Sequence, residues 1–237
     1  MGFLQRFYAE ESQRLEHEPK DEDAVSSFDE LSEEELESHM LVSSYGDFQL
    51  TDAVRPAFDL RVIPRQGYRH DLYEDAGANT KVPVLMVSAS KEKLFPLFID
   101  LLDPLGGTVD VVLETSHHSQ NGHLDLYREQ IDMPVLKSTL WDFEEMLLND
   151  GCTGVAVLNP QIPQEIQFDE HKLLIVYGQP LEQFEEILAR YGIERNDQLE
   201  LITQAEHVHS SSEDLYRQFE ELRRRLGMDE QQEAGSC

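Results

Sequence analysis

The sequence predicts an α/β fold: a mixed, mostly parallel central sheet with helices packed on it, plus an acidic N-terminal helical arm. An α+β arrangement is the alternative. From residue 82 onward, apolar runs of strand length alternate with amphipathic stripes of helix length, in the rough order β-α-β-α-β-β-β-α-β-α. The run at 82–87 is almost continuously apolar, which is typical of a parallel strand covered on both faces.

The first 45 residues differ in composition from the rest of the chain. Residues 1–40 carry 13 acidic and 3 basic side chains. Phe3, Phe7 and Leu15 form a rough helical stripe, and Ser32 with Glu35 forms a capping box that opens a second helix. We therefore expect an acidic helical arm and linker at 1–45, a single α/β domain at 46–227 and a disordered polar tail at 228–237.

Strands are predicted wherever apolar residues alternate or run continuously over a short span. Alternation predicts a half-buried strand at 57–63 and a further extended segment at 198–203. Three core strands are expected at 82–87, 108–113 and 152–158. Two short runs, 166–168 and 173–177, are separated by Asp169-Glu170-His171-Lys172, which predicts a hairpin.

Helices are predicted from apolar stripes at helical spacing and from their end signals. The first core helix carries Leu94, Phe98 and Leu101, and we expect Pro96 either in its first turn or at its true beginning, because proline disrupts a helix interior. The other predicted helices are a short one at 124–131 and longer ones at 140–147, 181–191 and 215–226.

Charge limits the partners that this protein can have. The 48 acidic residues against 19 basic ones give a formal net charge of −29. A surface of this kind repels nucleic-acid phosphates and anionic lipids, so we expect neither nucleic acid nor membrane as a partner. A protein partner with a basic surface is the interaction that this charge favours.

Cysteine content and hydropathy predict a soluble protein of the reducing cytoplasm. The two cysteines, Cys152 and Cys237, do not suggest a disulfide framework. Neither a secretory leader nor an apolar run of about 18 residues, the length of a membrane span, is present.

Two histidine clusters are the only candidates for a metal site. Glu114, His117, His118 and His123 follow the predicted strand at 108–113, at the end of the strand where open α/β sheets bind ligands. Imidazoles with a nearby carboxylate could supply a zinc first shell and a general base.

The second cluster follows the extended segment at 198–203. His207 and His209 are two residues apart, so on a strand both would face the same side and could bind one ion, with Glu206 as the base. If the two preceding strands are neighbours, the two histidine clusters converge.

No catalytic motif gives a more specific indication of function. The sequence contains neither a G-x-S-x-G elbow nor a glycine-rich phosphate loop. Our first interpretation is therefore a non-catalytic interaction or regulatory module without a cofactor. The alternative is a metal-dependent hydrolase that uses zinc, or a similar divalent transition metal, at the histidines.

Overall fold

The computed structural model describes residues 26–29, 31–75, 80–117 and 124–228. Its helices are α1 Glu33–Met40, α2 Lys91–Leu101, α3 Met133–Trp141, α4 Glu144–Asn149, α5 Glu182–Arg190 and α6 Glu213–Arg225. Its longer strands are β4 Gly67–Asp75, β5 Thr80–Ser88, β6 Thr108–Thr115, β7 Leu124–Asp132, β8 Thr153–Asn159, β9 Gln164–Phe168 and β10 Leu174–Gly178. Its short strands are β1 Ser44–Tyr45, β2 Phe48–Gln49, β3 Val54–Pro56 and β11 His207–His209.

The central sheet has seven strands in the order β4-β5-β10-β9-β8-β6-β7. Every neighbouring pair in this sheet runs antiparallel. The prediction of a mostly parallel sheet is therefore wrong, and the fold is α+β. The continuous apolar runs correctly predicted strands that are covered on both faces of the sheet, but such runs carry no information on strand direction.

Residues 124–132 account for this error. They form β7, an edge strand that pairs with β6, instead of the short helix predicted at 124–131. An extra strand between β6 and β8 reverses the chain once more, so β8 returns antiparallel to β6. A crossover helix at this point would have made the same two strands parallel.

Other boundaries were also misplaced. The strand predicted at 57–63 is a turn in which Leu60 has a φ of 52°, and the strand lies just before it as β3. The segment at 198–203 is irregular and leads into a short 3₁₀ helix, Ile202–Gln204. Pro96 lies in the interior of α2, five residues after its first residue Lys91, because that helix begins earlier than predicted.

Several local predictions are confirmed. Ser32 and Glu35 form a reciprocal capping box at α1. The core strands predicted at 82–87 and 108–113 lie within β5 and β6, and β9 with β10 forms the predicted hairpin. The stripe predicted at 1–15 lies outside the described residues.

The two faces of the sheet are packed differently. One face forms a single core with the buried apolar residues of α2 to α6, whose largest fully buried side chains include Phe95, Phe98, Phe168, Phe184 and Phe219. Burial of each such ring stabilises the fold by about 1.5–3 kcal/mol. The opposite face carries two smaller clusters, Val84 with Ile175 and Tyr177, and Val112 with Ala156 and Leu158.

A second, two-stranded sheet at one end of the central sheet positions the candidate site. In it β3 pairs with β11, so that His207 lies opposite Pro56 and His209 opposite Val54. The carbonyl of Ser210, which follows β11, accepts a hydrogen bond of 2.8 Å from Gly151 N, just before β8. This contact ties β11 to the end of the central sheet at which β8 begins. No helix in the described parts of the chain is both long and apolar enough to cross a bilayer.

Candidate metal centre

Three histidines from two separate parts of the chain converge at this end of the molecule. His171 lies in the β9–β10 turn, and His207 and His209 lie on β11. Their ring centroids are 4.8 to 5.1 Å apart. One nitrogen from each ring lies within 4.8 Å of the others, and all three side chains are partly buried.

Each ring is held through its Nδ1 atom by an oxygen. His207 Nδ1 lies 2.9 Å from the carbonyl oxygen of Ala205, and His209 Nδ1 lies 2.5 Å from that of Gly151. His171 Nδ1 lies 3.0 Å from Asp169 Oδ2.

These partners determine the tautomer of the rings. Carbonyl and carboxylate oxygens only accept hydrogen bonds, so each Nδ1 must be the donor. In a neutral imidazole the proton on Nδ1 leaves a free lone pair on Nε2. A donated Nδ1–H, held by a carbonyl or carboxylate, is the arrangement found around most metal-binding histidines.

The electrostatics keep two of the three rings neutral. Burial, together with the nearby His171, lowers the pKa of His207 and of His209 below the ordinary histidine value. Burial also disfavours the charged form of His171, but the Asp169 carboxylate outweighs it and raises the pKa of that ring. A neutral imidazole is the metal-binding form, so His207 and His209 are available as ligands at neutral pH.

Two charged side chains of the β9–β10 turn complete the site. Glu170 accepts a 3.2 Å hydrogen bond from Ser116 Oγ, and its charge acts on both His171 and His209. Lys172 is buried, and its Nζ donates to the Thr153 carbonyl at 2.9 Å. Burial lowers the pKa of Lys172 to about 8.

The spacing of the three histidines suits a transition metal. Zinc–nitrogen bonds of about 2.0–2.1 Å in tetrahedral geometry place ligand nitrogens about 3.4 Å apart. The nitrogens of His171, His207 and His209 lie within 4.8 Å of one another, so each nitrogen–nitrogen distance must shorten by no more than about 1.4 Å to close the site. Three protein ligands leave the fourth position open, as in catalytic rather than structural zinc sites.

The structure brings together only part of the predicted histidine set. His207 and His209 share one side of β11, as their spacing predicted. His117 instead binds Asp150 through a 2.7 Å contact, and it reaches the histidine cluster only indirectly, since His209 binds the adjacent Gly151. His118 and His123 lie outside the described residues.

The two carboxylates considered as bases have other partners. Glu114 lies on the opposite face of the sheet, where its carboxylate accepts a hydrogen bond of 3.1 Å from Gln167 Nε2. Glu206 accepts hydrogen bonds from Ser27 N at 2.8 Å and Ser27 Oγ at 2.7 Å. Neither carboxylate is hydrogen-bonded to the clustered rings in the described residues.

Asp169, Glu170 and His171 were not recognised from the sequence as site residues. Their spacing between two apolar runs indicated a hairpin, and that prediction is confirmed. The same four-residue turn nevertheless contains two carboxylates, an imidazole and an ammonium group, and this density of titratable groups in one turn is the signal that could have revealed them.

Comparisons with protein-family models, with curated proteins and with solved structures found no match. The chemistry of the histidine cluster is therefore the basis for assigning a function.

Proposed function

We propose that this protein is a metal-dependent hydrolase with a zinc-class ion bound by His171, His207 and His209. The observation that carries the proposal is the convergence of the three rings, each with Nδ1 bound to an oxygen and with one nitrogen within 4.8 Å of the others. Histidine nitrogens suit zinc, copper, iron and nickel, and zinc supports hydrolysis without redox change.

The open coordination position would hold the attacking water. A bound zinc ion lowers the pKa of its water to about 7, which generates hydroxide near neutral pH. Glu170 takes the role of the base in place of Glu114 and Glu206, because its charge already acts on two of the three rings.

A pocket that reaches His171 is the place where a substrate would approach the proposed ion. Its lining includes His171 and Lys172 together with apolar side chains, among them Leu50, Val54, Leu173 and Ile202. A small substrate with an apolar part and a polar reacting group fits this lining.

Metal content is the decisive measurement. Full-length protein purified without chelators or affinity tag is analysed by inductively coupled plasma mass spectrometry. We expect His207→Ala and His209→Ala each to lose one equivalent of transition metal that the wild type and His70→Ala retain. His70 is the matched control because it is a half-exposed histidine paired with Glu185, 2.7 Å away, and lies outside the cluster. Protein that stays folded, contains no metal and binds no added zinc at micromolar concentrations would exclude the proposal.

Hydrolysis is tested separately from binding. The zinc-loaded protein is assayed on ester, amide and phosphoester substrates, with Glu170→Gln as the matched variant. Activity that is lost in this variant while zinc remains bound supports the hydrolase. If the protein binds zinc stoichiometrically but hydrolyses none of these substrate classes, the proposal of a metal-binding protein stands and the proposal of a hydrolase is rejected.

A second candidate function, an interaction module, is favoured by the surface of β7. This edge strand exposes Leu124 and Tyr127 at 53% and 41%, beside the exposed Glu129. No strand pairs with its outer side among the described residues. We infer that a basic, extended segment of a protein partner could add to this edge, since the charge of the chain attracts it.

Binding of a lysine-rich extended peptide tests the interaction module. We expect affinity to fall with added salt and in Glu129→Lys, but not in Glu200→Lys, which reverses an exposed charge near the other edge of the sheet. Equal affinity for a glutamate-rich peptide of the same length would argue against it. Cytoplasmic localisation and the absence of a nucleic-acid partner remain predictions.

A further inference from the structure

A second group of metal-binding side chains lies next to the histidine cluster and is not used by the proposed hydrolase. His117 follows β6, and Asp150 and Cys152 lie just before β8. One ligand atom from each residue lies within 4.8 Å of the others. The group therefore offers an imidazole nitrogen, a carboxylate oxygen and a thiol sulfur at the same place.

Asp150 is the best-anchored member of the group. Its side chain is fully buried and accepts hydrogen bonds of 2.6 Å each from Ser211 Oγ and Thr153 Oγ1. Its Oδ2 also lies 2.7 Å from His117 Nε2. These contacts fix the carboxylate from several sides, as the outer shell of a metal site does.

Cys152 is oriented towards the same place. The hydroxyls of Ser116 and Ser211 lie within hydrogen-bonding reach of its thiol. A free thiol in this environment is a poor nucleophile, because burial raises the pKa of Cys152. A bound transition metal removes that barrier, since a coordinated thiol is deprotonated outright.

We propose that His117, Asp150 and Cys152 form a second metal site, which binds a zinc-class ion through one nitrogen, one oxygen and one sulfur ligand. Sulfur and nitrogen ligands select zinc or cobalt over magnesium and calcium. Metal–ligand bonds of about 2.0–2.2 Å in tetrahedral geometry place the two ligand atoms about 3.4 Å apart, so the 2.7 Å pair between His117 Nε2 and Asp150 Oδ2 must widen by about 0.7 Å. Metal binding there also displaces the proton that His117 Nε2 donates to Asp150.

The two sites share a short backbone segment. The carbonyl of Gly151, between Asp150 and Cys152, holds His209 of the first cluster. Ser116, next to His117, donates to Glu170. An ion at the second site would therefore restrict the movement of the segment 150–152, which orients His209. Binding of this ion does not require the first site to be occupied.

Cobalt titration tests the second site in the full-length protein. Co²⁺ bound to a thiolate gives a near-ultraviolet charge-transfer band that histidine ligands alone do not give. All variants carry Cys237→Ser, which removes the other cysteine. We expect two equivalents of Co²⁺ and one thiolate band in this background. Cys152→Ser should lose the band and one equivalent, and His209→Ala should lose one equivalent but keep the band.

The outcomes separate the two proposals. One equivalent with no thiolate band overturns the second site and leaves the histidine centre intact. One equivalent whose band disappears in Cys152→Ser confirms the second site and overturns the histidine centre. Should Cys152→Ser fail to fold by circular dichroism, His117→Gln replaces it, and retention of both equivalents and an unchanged band in that variant overturns the assignment of His117 as a ligand.

Discussion

Asp169 shows how one residue can serve the fold and the site together. Its Oδ1 accepts a 2.8 Å hydrogen bond from Leu173 N, which closes the β9–β10 turn, and its Oδ2 holds His171. The charge and hydrogen bond of His171 keep the pKa of Asp169 below its usual value even though burial opposes this. The carboxylate is thus an anion that accepts from both partners.

Replacement of Asp169 by asparagine should weaken metal binding more than it weakens the fold. The amide can still accept from Leu173 N, but its NH₂ group then faces the Nδ1–H of His171, and the ring must turn. We expect zinc affinity to fall by about 10- to 100-fold, the usual effect of losing such an outer partner. Competition with a chelating dye measures this, with Asp59→Asn as the control because Asp59 accepts from Arg61 N in a turn that contains no histidine. Unchanged affinity in Asp169→Asn would contradict the role of His171 as a ligand.

Glu165 is a buried carboxyl outside the candidate sites. It is completely buried on β9, in the same row as Tyr177 and Leu158, and neither of its oxygens has a hydrogen-bond partner among the described residues. Burial raises the pKa of Glu165 well above its usual range. The protonated carboxyl of Glu165 therefore favours the folded state. This contribution to stability is complete below the pKa that the residue has in the unfolded chain, and it is lost as the pH rises through its pKa in the folded protein.

Glu165→Gln should consequently stabilise the protein at neutral pH. The variant and the wild type should have equal free energies of unfolding at about pH 4, and the variant should gain a growing advantage as the pH rises above the unfolded pKa of about 4.3. Urea unfolding at several pH values measures the difference. Glu186→Gln, at an exposed position, gives the effect of removing one charge from an acidic surface. A gain no larger than that of Glu186→Gln would show that Glu165 is not strained.

At the scale of single residues, sequence could identify candidate ligands only where local geometry fixes the direction of their side chains. Alternation on a strand placed His207 and His209 on one side. No such regularity applies to a turn, so the sequence did not predict the direction in which the His171 ring points. Glu114 carries a carboxylate and directly follows the strand predicted at 108–113, as a base at that site would. The pleat of β6, however, directs its side chain to the face of the sheet opposite the main core.

The turn between β10 and α5 depends on a glycine that no other residue can replace. Gly178 has a φ of 106°, and a Cβ atom there would lie 1.8 Å from the carbonyl oxygen of Pro163. Gly192, at the end of α5, also has a positive φ, 67°, but a Cβ there meets no atom within 4 Å. A side chain at either position would strain the backbone, but only at Gly178 would it also collide with a neighbouring atom.

Gly178→Ala should therefore be far more damaging than Gly192→Ala. We expect Gly192→Ala to cost about 1–2 kcal/mol, the penalty for a side chain in the left-handed region. Gly178→Ala should cost more than about 3 kcal/mol, because the collision with backbone is added to the same strain. Denaturant midpoints of the two variants measure the difference, and equal losses would contradict the packing of this turn against Pro163.

The type of an element was predicted correctly where its pattern was strong and wrongly where its pattern was weak. β5, β6 and α6 follow strong apolar signals. β7 is mostly exposed and polar, with only Ile131 buried, so its few apolar residues fit a helix or a strand equally well. An edge strand owes its conformation to pairing with β6, and local sequence does not encode that pairing.

The charge of the whole molecule opposes its own compactness. The chain has a formal net charge of −29 on 237 residues, so its acidic side chains repel one another wherever they lie closer together than the screening length. Few of the ion pairs among the described residues are well buried, and exposed pairs such as Arg217 with Asp214 contribute about 0–1 kcal/mol. Self-repulsion is therefore a significant cost of folding at low salt.

Sodium chloride should raise the stability of the metal-free protein. The screening length falls from about 30 Å at 0.01 M to about 10 Å at 0.1 M, so the repulsion weakens most over this range. We expect the urea midpoint to rise with salt and then level off. Sucrose at matched osmolality separates screening from solute exclusion, and a midpoint that falls or stays constant with salt would contradict self-repulsion as a main term.

The sequence by itself determined the acidic surface, the buried strands, most helix positions and the β9–β10 hairpin, since each follows from residues close together in the chain. Tertiary structure decided the direction of the sheet, because one additional strand at 124–132 makes β8 antiparallel to β6 and β10 antiparallel to β5. It also decided the histidine cluster at which we propose a metal centre. His171 meets His207 and His209 only because β11 pairs with β3 and is tied to Gly151 at the end of the central sheet, and contacts between segments so distant in sequence leave no local pattern.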